Sequence, residues 1–201
     1  MLFEQQGEWL DIDDGKLYWH PHFLDANEAD DLFQTCYQQL AWRQESITLF
    51  GNSVLQPRLQ AWYGDACYQY SGLMMQPLPW PDFLLTLKQR CEAIADTSFN
   101  SVLANLYRNG QDSMGYHQDN EPELGHQPII ASVSVGEQRR FTLKHLTTKQ
   151  TYNLELTHGS LLIMAGNLQH YWKHALPKTQ RFNQPRINLT YRNILTSKHL
   201  R

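Results

Sequence analysis

Residues 115–121 read GYHQDNE, so His117, Asp119 and Glu121 recur at every second position. Side chains two apart on a β-strand point the same way, and this spelling aims one imidazole and two carboxylates at a single volume. A histidine and a carboxylate so placed can fill two corners of a two-histidine, one-carboxylate face on ferrous iron, with three coordination positions left open. The third corner must come from a distant strand. Downstream histidines able to supply it are His126, His145, His158, His170, His174 and His199. A solvent-facing strand would carry the same residue types without holding a metal.

A second stretch, RINLTYRN, sorts by alternation into Ile187, Leu189 and Tyr191 on one face and Arg186, Asn188, Thr190 and Arg192 on the other. Two guanidinium groups framing an amide and a hydroxyl describe a slot for a small dianion. The planar fork of arginine matches a carboxylate with two parallel hydrogen bonds, and it stays charged when buried. An ordinary solvated strand face is the other reading of the same pattern.

Such side chains need elements to position them. In FLDANEADDLFQTCYQQLAW, Asp25 is suited to cap a helix with Glu28 three residues on, and Leu32, Phe33, Cys36, Tyr37 and Leu40 form one stripe. WPDFLLTLKQRCEAIADTS predicts a second helix, with Pro81 in its first turn and Leu84, Leu87, Cys91 and Ile94 recurring at three or four. Between them, Phe50-Gly51-Asn52 reads as the turn of a hairpin, followed by a strand on which Tyr68 and Tyr70 share a face. From residue 100 onward the pattern changes to short β runs, among them VLANLYR, GYHQDNE, PIIASVSVG, RRFTLKHL, SLLIMAG and HYWKHALP. Many short strands separated by Gly, Pro and Asn predict an α+β, mainly β chain, a sandwich or barrel with the helices against its outside.

The 201 residues suit one domain. The net charge is -3, yet residues 1–100 hold five basic and 14 acidic groups while residues 101–201 hold 12 basic and six acidic. A basic C-terminal half could meet a polyanion locally, Arg139, Arg140, Lys144 and Lys149 among its contacts, or could be a solvated face. Cys36, Cys67 and Cys91 are widely spaced with no CxxC pair, which argues against a disulfide framework or thiolate zinc site. The acidic N-terminus shows no signal peptide, and SLLIMAG is too short to cross a bilayer, so the expectation is a cytoplasmic, membrane-free monomer.

Taken together, HQD at 117–119, WKHALP at 172–177 and PRINLTYRN at 185–193 resemble the signature of the AlkB family of Fe(II)- and 2-oxoglutarate-dependent dioxygenases, in its DNA-alkylation-repair branch. NLY at 105–107, PIIASVSVG at 128–136, HGSLLIM at 158–164 and YGDACYQYSG at 63–72 extend the likeness over roughly residues 45–194, leaving the acidic first 40 residues outside it. The resemblance implies a double-stranded β-helix (jelly roll, cupin-like) over residues 100–201, with helices and a nucleotide-recognition hairpin in residues 1–99. It implies that His117, Asp119 and His174 hold the iron and take part in catalysis. His170, read as lying on the same strand face as His174, is the fallback ligand. Arg186 resembles the residue that grips the distal carboxylate of 2-oxoglutarate, with Asn188 beside it. Arg192 resembles the arginine nearer the iron-chelating carboxylate, and Asn105, Tyr107 and Thr190 match the remaining cosubstrate contacts.

For the substrate, Tyr70 and Tyr68 match walls that stack an extruded base, and Phe50 resembles a wedge that fills the vacated stack. Glu121 matches an acid near the exocyclic amine of the base, since a carboxylate accepts hydrogen bonds only. The implied reaction consumes O2 and 2-oxoglutarate and removes methyl groups from N1-methyladenine or N3-methylcytosine in DNA, releasing formaldehyde, succinate and CO2. The alternatives are an oxygenase acting on RNA, protein or a small molecule, and a metal- or nucleic-acid-binding β module without turnover.

Overall fold

The computed structural model describes residues 7–49, 51–65, 68–70, 73–75, 77–181 and 183–195. In chain order the elements are β1 (Glu8–Ile12), β2 (Gly15–His20), α1 (Ala26–Gln39), β3 (Ser46–Leu49), β4 (Asn52–Leu55), β5 (Leu59–Gly64), β6 (Tyr68–Tyr70) and β7 (Leu73–Met75). There follow α2 (Asp82–Ala95), β8 (Ser101–Tyr107), β9 (Met114–His117), β10 (Ile130–Gly136), β11 (Arg139–His145), β12 (Thr151–Leu156) and β13 (Ser160–Ala165). A four-residue α3 (Leu168–Tyr171), β14 (Trp172–Leu176) and β15 (Arg186–Arg192) complete the set.

Both long helices start and end where their sequences dictate. At Asp25 the carboxylate accepts from the Glu28 N–H at 2.9 Å while Glu28 reaches back to the Asp25 N–H at 3.1 Å, a reciprocal cap on α1. In α2, Asp96 adopts a left-handed conformation (φ 49°) that stops the helix one residue after Ala95. The stripe on α1 is narrower than its spacing suggests: Cys36 is buried, whereas Tyr37 is 49% exposed and stacks on Phe33.

Strands assemble into a seven-stranded antiparallel sheet, ordered β1-β2-β13-β10-β15-β8-β5, and a four-stranded sheet, ordered β12-β11-β14-β9. Two packed antiparallel sheets with these crossovers form the expected jelly roll. β3 and β4 make the hairpin around Gly51, with Leu49 opposite Asn52. The larger sheet has two differently dressed faces. Val102, Ala104, Ala131, Val133, Ile187, Leu189 and Tyr191 join Leu84, Leu87 and Cys91 of α2 and Cys36 of α1 in the main core. Tyr191 is fully buried there, and its hydroxyl donates to the Leu84 carbonyl at 3.1 Å, tying β15 to α2. The opposite face of the same strands turns polar and meets the smaller sheet.

The acidic N-terminal stretch belongs to this architecture. β2 pairs with β13 from Lys16–Ala165 to His20–Leu161, and Trp172 donates its indole N–H to the Asp13 carbonyl at 2.7 Å. Among the described residues, no helix is long and apolar enough to cross a membrane.

Candidate active site

A cavity lies between the sheets. β8, β10 and β15 supply Asn105, Tyr107, Ser132, Arg186, Asn188, Thr190 and Arg192; β9 and β14 supply Met114, His117, His174 and Leu176. Leu103, Phe141, Leu156 and Met164 close it with apolar surface.

His117 and His174 are direct cross-strand partners of β9 and β14, with ring centroids 4.2 Å apart. Asp119 joins them, and one ligand atom from each residue lies within 4.8 Å of the others. Asp119 does not reach this place by strand alternation. β9 ends at His117, and Asp119 and Glu121 lie beyond it, Glu121 entering a single 3-10 turn over Pro122–Leu124. The expected seven-residue strand therefore stops short, and the physical reason is where the backbone bonds go. The Asp119 N–H donates at 2.9 Å to Oε1 of the fully buried Gln169 instead of to a neighbouring strand. Gln118 secures the same turn by donating to the Gln169 and His170 carbonyls at 2.7 and 3.2 Å.

The donor set suits a divalent metal. His117 Nδ1–H donates to the Gly115 carbonyl at 2.9 Å, so in the neutral ring Nε2 carries the lone pair, and Asp119 Oδ1 stands 3.7 Å from it. In that form the ring nitrogen and the carboxylate oxygen are two acceptors facing each other, an arrangement that a cation resolves. Asp119 Oδ1 and His174 Nδ1 are buried atoms with no hydrogen-bond partner. Burial opposes the charge on Asp119, but Arg192, His117 and His174 outweigh it and hold the carboxyl well below the usual range. Burial, with help from His117 and Arg192, pushes His174 down to about 3 against the pull of Asp119, so its imidazole is neutral near pH 7. Arg192 donates to Asp119 Oδ2 at 2.8 Å, an ion pair with both side chains inside.

At the other part of the cavity the chemistry is cationic. Arg186, 2% exposed, donates to Ser134 Oγ at 2.8 Å and lies over the Tyr107 ring at 5.3 Å. Burial lowers it to about 10, still fully charged at neutral pH. Among the described residues no carboxylate pairs with it, and its Nε has no hydrogen-bond partner. A buried guanidinium without an anion is costly, and an anionic ligand would remove that cost. Cross-strand register places Tyr107 opposite Arg186 and Asn105 opposite Asn188.

Side chains that spacing did not reveal set the polarity of this wall. Asn105 Oδ1 accepts from Arg58 Nε at 2.9 Å and from Gln60 Nε2 at 3.2 Å, so its amide NH2 is left as the group able to donate to a ligand. Arg58 is itself buried and bonds Gln56. Asn188 donates to Ser132 Oγ at 2.7 Å and accepts from Thr190 Oγ1 at 2.8 Å, which fixes both amide and hydroxyl. QPRLQ carries a hint of this network, since Gln56 and Arg58 immediately precede β5 and Gln60 lies on it, in a stretch that otherwise reads as apolar.

The remaining expectations divide. His170 sits in α3, exposed, and not on the strand of His174; it lines no part of the cavity. The turn of α3 intervenes, because Tyr171 N–H bonds the Asn167 carbonyl. His145 takes two backbone N–H bonds on Nδ1, from Thr147 and Thr148, and donates Nε2–H to Asp14 at 3.1 Å. His158 accepts from the Gly136 N–H at 2.8 Å. Arg139 is neither solvated nor free for a phosphate: it is buried and donates to the carbonyls of Asn109, Asp112 and Pro177. Phe50 and His199 lie outside the described residues, as do the side chains of Tyr68 and Tyr70.

The sequence model of the 2OG-Fe(II) oxygenase superfamily matches residues 16–192, so the likeness reaches well into the N-terminal stretch. Human "Alpha-ketoglutarate-dependent dioxygenase alkB homolog 3" is 41% identical over 185 residues, covering 87% of this chain and 65% of that protein. Human "DNA oxidative demethylase ALKBH2" is 36% identical over 184 residues, covering 85% and 70%. The chain thus spans slightly under two thirds of the length of the homolog 3 relatives. The solved structure of OsALKBH1 superposes with a TM-score of 0.67 at 16% identity, over 92% of this chain and 100% of that one, a likeness of fold.

Proposed function

The chain belongs to the 2OG-Fe(II) oxygenase superfamily, among the AlkB homologues, and we propose that it oxidatively demethylates alkylated nucleobases in DNA. The observation that carries the reading is the pairing, in one cavity, of a metal-ready His117/Asp119/His174 cluster with a buried Arg186 that has no anion of its own.

In this reading His117, Asp119 and His174 hold Fe(II), and Arg186 takes the distal carboxylate of 2-oxoglutarate. Asn105 offers an amide N–H, and Tyr107, Asn188 and Thr190 shape the remaining wall. Bound iron with 2-oxoglutarate and O2 supplies the oxidation: the cosubstrate becomes succinate and CO2, and one oxygen atom is placed on the N-methyl carbon as a hydroxyl. The resulting N-hydroxymethyl group breaks its C–N bond, losing formaldehyde and restoring the base. The chain's part is geometric. Arg192 keeps Asp119 ionised and pointed, Gln169 holds its backbone, and Leu103, Leu156, Met164 and Leu176 exclude water from the reacting centre. Glu121 Oε2 is a buried acceptor with no hydrogen-bond partner, which supports its role toward an exocyclic amine of adenine or cytosine.

The test measures formaldehyde and succinate with oligonucleotides bearing N1-methyladenine or N3-methylcytosine, as single-stranded DNA, duplex DNA and RNA. Equal amounts of both products from a DNA substrate are expected. Turnover of RNA alone would move the substrate to RNA, and no turnover of any oligonucleotide would reject the demethylase reading.

A further inference from the structure

Outside the cavity, two histidines that the proposed reaction does not use stand against each other. His126, on the segment after the 3-10 turn, and His170, in α3, have ring centroids 5.1 Å apart at an interplanar angle of 60°, and both are exposed. We propose that His126 and His170 form a second divalent-cation site, of the zinc class, that clamps the segment carrying Asp119 to α3.

Ring separation is the first ground. With metal–nitrogen bonds of about 2.0–2.1 Å, two imidazole centroids on one ion lie roughly 5 Å apart at a tetrahedral angle and nearer 4.5 Å at a right angle. The His126–His170 pair, at 5.1 Å, lies within the span that one ion bridges. His117 and His174 stand closer, at 4.2 Å. Imidazole ligands suit zinc, copper and nickel, and water completes the shell of a site on the surface.

Preorganisation is the second ground. Both rings ride on backbone already fastened together. Gln118 donates to the carbonyls of Gln169 and His170, the Asp119 N–H reaches Gln169 Oε1, and Gln127 donates at 2.8 Å to Asn167 Oδ1 at the start of α3. Gln127, next to His126, holds a left-handed φ of 55°, a conformation a non-glycine residue keeps only when its surroundings impose it. These bonds limit the freedom each ring loses when an ion binds. They also link the second site to the first, because Gln169 touches Asp119 directly while His170 follows it in the chain. An ion bridging His126 and His170 closes a loop over residues 118–126 and resists any movement of Asp119 away from its partners.

The experiment uses the full chain and Zn2+ or Co2+ as the probe, with His126→Ala and His170→Ala as single variants and His117→Ala/His174→Ala as the variant that removes the cavity cluster. By equilibrium dialysis, wild type should bind two equivalents of Zn2+ and each single variant one. With Co2+, the intense visible absorption of tetrahedral cobalt should persist in the double variant and vanish in both single variants. In the double variant, added Zn2+ should slow amide hydrogen exchange of residues 118–127. Because the two single-variant residues are exposed, their folding can be checked by an unchanged melting temperature without metal. One equivalent in wild type, two in either single variant, or tetrahedral absorption that disappears with the cavity cluster would each overturn the site. Unchanged exchange would overturn the clamp. None of these readouts depends on demethylation, so failure here and failure of the proposed reaction are distinguishable.

Discussion

His117 and His174 face each other as paired residues of β9 and β14, and their rings meet at 4.2 Å although 57 positions separate them in the chain. The ladder between two short strands thus brings two imidazole rings together by backbone pairing alone. Replacing either by alanine should lower Fe(II) or Mn(II) affinity by at least about 100-fold and abolish product formation. His170→Ala should keep both, as read by anaerobic metal titration; a loss in the His170 variant equal to that in the His174 variant would contradict the assignment.

Arg186 is buried beside Tyr107 and Ser134. Arg186→Met should weaken 2-oxoglutarate binding by about 2–5 kcal/mol, the usual consequence of removing one member of a buried charge pair. The ligand-free protein should melt no lower than wild type, because the same change removes a buried cation that lacks an anion among the described residues. Titration with 2-oxoglutarate and a thermal melt check both halves.

Gln169 is buried, and its Oε1 accepts from the Asp119 N–H, so it acts through the ligand it positions. Gln169→Leu should reduce metal affinity by about 10–100-fold with the fold retained. Gln169→Glu keeps the acceptor and should recover part of the loss. Metal titration of the pair separates this role from simple packing, which leucine would preserve.

A pH-dependent contribution comes from Asp112, which braces the turn before β9. Burial raises its pKa, but the Arg108 side-chain and backbone bonds and the nearby Arg139 outweigh this and lower it overall. A carboxyl with a depressed folded pKa stabilises the protein above its unfolded value, near 3.9, and loses that contribution as pH falls through the folded value. Asp112→Asn should therefore cost about 1–3 kcal/mol at pH 7. Its deficit against wild type in urea denaturation should shrink below about pH 4.

Much of this protein is readable along the chain. Alternation in RINLTYRN separates the core-facing Ile187, Leu189 and Tyr191 from the cavity-facing Arg186, Asn188, Thr190 and Arg192, because a strand's side-chain period is a local property. The capping pair Asp25–Glu28 and the apolar spacing of α2 are equally local. What tertiary structure decided is which donors meet. Alternation alone would put Glu121 beside Asp119 on one strand, yet β9 ends at His117, and the Asp119 N–H bonds Gln169 Oε1 instead of a neighbouring strand. His170 and His174 look interchangeable by position, and only the turn of α3 sends the first to the surface and the second to the cavity. The orientation of Asn105 depends on Arg58 and Gln60, more than 40 residues away. Residue types and periodicity are written in neighbouring positions, whereas direction inside a site depends on partners delivered by strand register over long separations.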